Sequence, residues 1–486
     1  MAEDPPVSKG ARREGEPLAG EALLESLGYR QELRRRLSFW NNVGLTLADI
    51  TPMGSLLIIG SVVIATAGTG SIWSYVIGCF IAINVALCMG ELGSMYPVAG
   101  GLYSIVTRVL GKPIGFLAML DYIGQAIFLP ASIAIGVGTY VTSLWSDAPS
   151  NWSAAIVMAG VTVIALFDIK FNAWFTATFL ALQLIVLGLL FVAGVSSIDQ
   201  PFSIVTHPVV AGDGGLDTAT AGVIVTALAT AMFSVNGYDS AINFSEETGG
   251  SASQVGKAVV TAAGVAIAFE VVPFIAAVFG ADNLQSFLSS DTPLTDVIGS
   301  TFGTGFNDVV TVVAILAFLN ASLAITLQFA RITWSSGRDR AWPGPISGAL
   351  DSVSPQGTPW VATLIVGACA TVLCIRSSLL TVVTFTAVLI IVLYALIAIS
   401  ALVSRARRPD LPRPYRMPLW PVPPLIALGG VVVALTQQKL RDLVVVGGLF
   451  VVGFLYFMLF IRPREDRYWT MTTDPEAELQ RLASHG

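Results

Sequence analysis

The feature that most constrains this chain is a succession of twelve apolar runs, each close to the ~20 residues an α-helix needs to cross a bilayer. They lie near 42–67, 72–94, 112–144, 153–168, 173–196, 217–245, 256–280, 306–335, 360–375, 378–403, 420–437 and 442–461. Backbone in contact with lipid must satisfy its own polar groups, so runs of this kind fold as helices. Composition agrees. Of 486 residues, 54% are hydrophobic and 12% charged, about half the charged fraction of an ordinary soluble domain, which excludes a water-soluble enzyme. The net charge of −6, with no basic field, gives no footprint for nucleic acid. The third and eighth runs are long enough to imply tilted helices.

The basic residues test the count, because short cytoplasmic loops carry the excess of Lys and Arg. With the N-terminus inside, the outward segments contain only Arg376, Lys439 and Arg441 of the 26 basic residues. Both termini are therefore expected in the cytoplasm. Residues 1–37 read as a cytoplasmic tail without a cleaved signal, in which Leu23, Leu24, Leu27 and Leu33 allow a short interfacial helix. Residues 38–403 read as a core of ten crossings, with helices 1–5 over about 42–196 and helices 6–10 over about 217–403. Residues 404–462 hold a cytoplasmic loop and helices 11 and 12, and 463–486 form a second cytoplasmic tail. Cys79, Cys88, Cys369 and Cys374 fall inside apolar runs, and His207 and His485 lie far apart. Neither a disulfide framework nor a Cys/His metal site is indicated, and no cofactor motif is present.

Two runs are interrupted. The first reads Gly44-Leu-Thr-Leu-Ala-Asp-Ile-Thr-Pro-Met-Gly-Ser55 before resuming at Leu56. Pro52 removes a backbone donor, Gly54 permits unusual backbone angles, and amides freed at membrane depth need polar partners. A broken helix is expected there, a Pro kink without ligand role being the plainer alternative. The sixth run is interrupted by Phe233-Ser-Val-Asn-Gly-Tyr-Asp239, five runs on. Corresponding interruptions in two halves point to an inverted-repeat transporter whose site lies where the breaks meet. Half-helix N-termini there suit an anionic group, and freed carbonyls suit an ammonium or cation.

On this pattern the chain resembles the amino acid, polyamine and organocation superfamily over about residues 28–462. The segment Gly90-Glu-Leu-Gly-Ser-Met-Tyr-Pro-Val-Ala-Gly-Gly-Leu-Tyr103 is similar to the family's link between spans two and three. Gly237-Tyr-Asp-Ser-Ala-Ile-Asn-Phe-Ser-Glu-Glu-Thr248 resembles its sixth-span signature, especially in the amino acid and choline transporter branch. Ala330–Pro343 resembles the end of the eighth span and Arg413–Pro418 the loop before the eleventh. The resemblance implies an all-α membrane protein with a LeuT-like five-plus-five inverted repeat, discontinuous helices 1 and 6, and two added C-terminal helices. It implies transport of an amino acid or small organic amine across the plasma membrane by alternating access, with helices one, two, six and seven rocking against the rest. By position, Thr51, Met53, Gly54 and Ser55 would face the substrate's carboxylate end. Phe233, Ser234, Val235, Asn236 and Gly237 would offer carbonyls and an aromatic lid that also gates the site. Leu56 stands where many members have a second glycine, which leaves room for amines other than standard α-amino acids. Some members place a lysine in the fifth span, where Gln183 stands here, so a lysine-based coupling scheme has no support.

Each acidic residue within a span costs about 2.5–3.5 kcal/mol on insertion scales and calls for a reason. Asp49 precedes the first break and Asp239 follows the second, so both can border one cavity. Protonation and cation occupancy of such a carboxylate influence one another, and the pair is assigned to proton coupling or ammonium recognition, with sodium as the alternative ion. The plainer alternative is a protonated acid that stabilises unwound backbone. Asp121, Tyr122 and Gln125 give the third span a polar stripe, and Asn320, Ser322 and Thr326 do so in the eighth. Tyr122 and Asn320 are candidate cavity residues, although small polar residues also pack helices together. Glu91, Glu246 and Glu247 lie at cytoplasmic ends of spans and are either an inner gate, with Arg108 or Arg331, or solvated helix ends. Glu270 has no evident role. No nucleotide-binding loop is present, so the driving force is a gradient or exchange.

Overall fold

A computed structural model describes residues 37–97, 101–167, 173–212, 214–245, 248, 251–354 and 358–471. In chain order the principal helices are α1 (Phe39–Ile50), α2 (Ser61–Ala67), α3 (Ser71–Met95), α4 (Gly101–Leu110), α5 (Lys112–Leu144), α6 (Ser150–Ala165), α7 (Ala173–Ser196), α8 (Ala221–Ser234), α9 (Ser240–Asn243), α10 (Ala252–Phe279), α11 (Thr304–Arg338), α12 (Trp360–Arg376), α13 (Leu379–Arg407), α14 (Val422–Thr436) and α15 (Leu440–Tyr456). Seven helical stretches among the described residues are long and apolar enough to cross a membrane, the first of them, Phe39–Met95, covering both of the first two expected spans. Shorter apolar helices α6, α8, α12 and α14 fall on four further expected spans. The chain is thus a helical, multi-pass membrane protein.

The breaks are physical. Helix α1 stops at Ile50, Thr51 adopts a left-handed conformation (φ 50°, ψ 64°), and the chain resumes through Pro52–Gly54 and a wide turn of π-helix, Ser55–Gly60, before α2. A left-handed β-branched residue is an outlier of the kind that stores about 1–3 kcal/mol and persists only where its surroundings hold it. Helix α8 stops at Ser234, and only the short α9 follows. The sixth run was expected from 217, but Asp217 and Thr218 belong to a hairpin in which β1 (Val209–Gly212) pairs antiparallel with β2 (Gly215–Thr218). This hairpin, and the amphipathic α4 inside the Gly90–Tyr103 region and beyond, were not foreseen. Neither has the ~20-residue apolar run that identifies a crossing.

Helix α10 packs along α3 and α7, α5 along α11, α6 and α13, and α12 along α6. The two interrupted elements are stitched directly. Asn42 of α1 donates to the Ala241 carbonyl of α9 at 3.2 Å and to Thr248 Oγ1 at 2.8 Å. The segment after residue 462 folds back: the Trp469 and Thr470 amides donate to the carbonyls of Arg340 and Asp339, and the Trp469 ring is buried against Tyr103 and Phe116.

Candidate functional site

The two breaks meet. Gly237 has φ 115°, and a Cβ added there would lie 3.2 Å from Ile50 Cα. Only a residue that tolerates positive φ and lacks a side chain permits this approach. Around the seam is a cavity with about 560 Å³ of non-atom space including its mouth. Its polar lining comes from Asp49, Thr51 and Ser55 of the first break, Asn236 and Asp239 of the second, Tyr122 and Gln125 of α5, Gln328 of α11 and Tyr394 of α13. Phe233, Phe329 and several aliphatic side chains complete the wall.

Each carboxylate in the cavity is held by a neutral donor. Tyr122 donates its hydroxyl proton to Asp239 Oδ2. With its amide nitrogen turned toward Asp49, Gln328 donates to Oδ1 at 2.8 Å and Oδ2 at 2.9 Å. Two carboxylates sharing one cavity would repel one another if both were ionised, and among the described residues no Lys, Arg or His lines it. The Tyr394 hydroxyl donates to Asn236 Oδ1 at 2.9 Å, which fixes the second break against α13. The Ser55 hydroxyl donates to the Ile50 carbonyl at 2.9 Å and so occupies a main-chain acceptor left by the first break. Two carboxylates and aromatic faces, with no competing cation among the described residues, form a setting suited to a positively charged group.

Of the residues singled out in the sequence, Asp49, Thr51, Ser55, Tyr122, Phe233, Asn236, Gly237 and Asp239 come together here. Met53, Gly54, Ser234, Val235 and Asn320 do not line the cavity. Met53 and Val235 are buried in the core. Gly54 sits where an added Cβ would lie 3.0 Å from Thr51 Oγ1 and 3.4 Å from Phe318, so it serves close packing behind the break. Ser234 faces away, toward Tyr75 and Glu270. Leu56 is buried in the π-turn and is likewise absent from the wall. Glu91 is neither solvated nor matched with Arg108 or Arg331: Arg405 grips it with two nitrogens at 2.9 and 2.5 Å, Arg413 approaches at 3.2 Å, and the Met417 amide donates at 2.8 Å. Glu246 and Glu247 lie outside the described residues. Gln328 and Tyr394 were missed. Tyr394 left a signal, as the one polar side chain in the aliphatic stretch 388–398.

The profile of the amino acid permease family matches residues 37–472. The chain belongs to the amino acid permease family. It is therefore a transporter of the amino acid, polyamine and organocation superfamily and not an enzyme. It is similar to the branched-chain amino acid permease BcaP of Bacillus subtilis, 24% identical over 84% of this chain and 88% of the relative. It is also similar to the methylthioribose transporter of Bacillus subtilis, at 22% over 84% and 89%. The low-affinity putrescine importer PlaP of Escherichia coli matches at 25% over 70% of this chain and 75% of its own. These three relatives, at similar distances, are named for an amino acid, a thiosugar and a diamine, so the family fixes the class of activity and leaves the cargo to the site.

Proposed function

We propose that this transporter is a secondary carrier for an amino acid or small organic amine, working by alternating access and coupled to protons. The observation that carries the reading is the pair of carboxylates, one from each helix break, lining one cavity that holds no basic residue among those described. An ammonium group between Asp49 and Asp239 would relieve their mutual repulsion and gain charge-assisted hydrogen bonds, each worth about 1.5–3 kcal/mol. With that group absent, protons can take its place, which links proton and substrate occupancy. A substrate carboxylate, where present, would sit toward Thr51 and the start of the resumed helix, whose amides favour negative charge. Tyr122, Phe233, Phe329 and Tyr394 would enclose the apolar part.

In this reading the architecture is twelve crossings, a five-plus-five inverted repeat with discontinuous first and sixth helices, and two helices added. Its support is the presence of breaks at the corresponding positions of two halves. The Lys and Arg distribution supports cytoplasmic termini in a plasma membrane. Purified protein in proteoliposomes should accumulate members of a labelled panel of amino acids and amines when the outside is made acidic. Absence of both net accumulation and exchange across the panel would refute the carrier reading, and accumulation driven only by sodium would refute its proton coupling.

A further inference from the structure

A third carboxylate lies apart from the cavity. Glu270, on α10, is fully buried. Its Oε2 accepts from the Ser234 hydroxyl at 2.6 Å, and that hydroxyl oxygen accepts from the Tyr75 hydroxyl at 3.0 Å. Its other oxygen, Oε1, has no hydrogen-bond partner among the described residues. The Tyr75 ring, tilted on Phe274 with centroids 4.2 Å apart, closes the apolar side. The cluster therefore joins three helices, α3, α8 and α10, and it does so at Ser234, the last residue of α8 before the break. Phe233, one residue earlier, and Asn236, two later, line the cavity.

Among the described residues, no counter-charge meets Glu270. Titratable groups close to Glu270 include the Tyr75 hydroxyl and the Cys79 thiol, both on α3, and neither supplies positive charge. Helix α8 presents Ser234, and α7 carries no ionisable side chain from Ala173 to Ser196. Asp49 of α1 is the electrostatic neighbour of Asp239. Asp296, on the Pro293–Phe302 helix, is engaged by Ser290 and Thr292. No ion pair to Glu270 exists among the described residues. An ionised carboxylate without a partner in such a place is prohibitively costly, and neutralisation is the usual resolution. Because the single Ser234 proton points at Oε2, the acid proton belongs on Oε1.

We propose that Glu270 is a proton-binding site of the transport cycle, separate from the substrate cavity and read out through Ser234. With α8 broken as here, the buried cluster keeps the proton on Oε1. When the α8 break rearranges, Ser234 moves, water reaches the carboxyl, and the proton leaves Oε1 for that water to leave a carboxylate. Reprotonation from the opposite side restores the cluster. This rests on the carrier reading, but it places a coupling proton away from Asp49 and Asp239.

The test uses the full chain in proteoliposomes, with leucine and putrescine as labelled probes and the membrane potential clamped. In one-proton symport a gradient of one pH unit supports about tenfold accumulation. Glu270→Gln should lose that accumulation while retaining gradient-independent exchange, and Glu270→Asp, which keeps an acid, should retain gradient dependence. Infrared difference spectra across a pH step should show a protonated-carboxyl band that is absent in Glu270→Gln and present in Asp49→Asn and Asp239→Asn. Wild-type pH-driven accumulation by Glu270→Gln, or an infrared band unchanged by that substitution, overturns the proposal. If neither probe is moved by the unsubstituted protein, the carrier reading is what loses support for those cargoes, and the infrared arm still decides whether Glu270 carries a proton.

Discussion

Two regions of this molecule solve the same problem in opposite ways. At the end of α3, Glu91 is 1% exposed and meets two guanidiniums and a backbone amide, with Arg405 also lying over the Trp420 ring at 4.5 Å. In the cavity, Asp49 and Asp239 meet an amide, a phenol and each other's charge. A carboxylate whose counter-charge is built into the protein is finished, and its role is to hold α3 to α13 and the loop beyond. One whose donors are all neutral is left to combine with a charge that comes and goes. The difference between a fastening and a binding site lies in the partner and not in the acid.

The comparison breaks most visibly at Glu91. Glu91→Gln leaves the nearly buried Arg413 without its counter-charge, and loss of one member of a buried pair costs about 3–5 kcal/mol. The expected result is a marked fall in melting temperature in detergent, with ligand-induced stabilisation by the transported substrate preserved in whatever protein remains folded. A Glu91→Gln protein as stable as the parent would show that the arginine cluster is incidental.

Gly237→Leu attacks the other region. The new side chain must occupy space 3.2 Å from the Ile50 backbone at a φ that L-residues avoid. The two breaks must then part, and misplacement by about 1 Å can cost ~100-fold in rate. Uptake should fall by that order, while the strain at that φ, about 1–3 kcal/mol, lowers the melting temperature less than Glu91→Gln does. Asp49→Asn and Asp239→Asn should each lower uptake of an amine by about 10–100-fold, the range expected for one charge-assisted hydrogen bond, and should change its pH dependence. Full pH-dependent accumulation by both variants would mean that the cavity acids are structural after all.

Much of this contrast could be read in the chain. The crossings announced themselves because ~20 apolar residues have no other economical fold in lipid, and the breaks because Pro52, Gly54, Asn236 and Gly237 cannot belong to a continuous lipid-facing helix. What stayed hidden depends on distance along the chain. Glu91 finds Arg405 and Arg413 across 314 and 322 residues, and although Arg413 opens a segment that resembles the family's, nothing local pairs either arginine with Glu91. Asn320 and Gln328 are both polar residues of α11, and only the rotation of that helix decides that Gln328 faces Asp49. Met53 and Ser234 illustrate the reverse: they lie in the right segments, but a broken helix still turns alternate residues away from its cavity. The β1–β2 hairpin was hidden because four-residue strands outside the membrane leave little periodic signal.

The smallest effect sharpens the comparison furthest. Tyr394 donates to Asn236 Oδ1 across the cavity, so Tyr394→Phe removes one neutral hydrogen bond and keeps the ring. A neutral bond contributes about 0.5–1.5 kcal/mol, or ~2–10-fold in an equilibrium. Asn236 is only half-buried, which lets water replace the lost donor and places the change at the low end of that range. The expected phenotype is a severalfold rise in KM with kcat and melting temperature almost unchanged. Were the break held as Glu91 is held, by fixed bonds without solvent access, the same substitution would instead lower stability and leave KM alone. The direction in which Tyr394→Phe moves those two numbers therefore reports whether the second break is a fixed strut or a surface kept available to a guest.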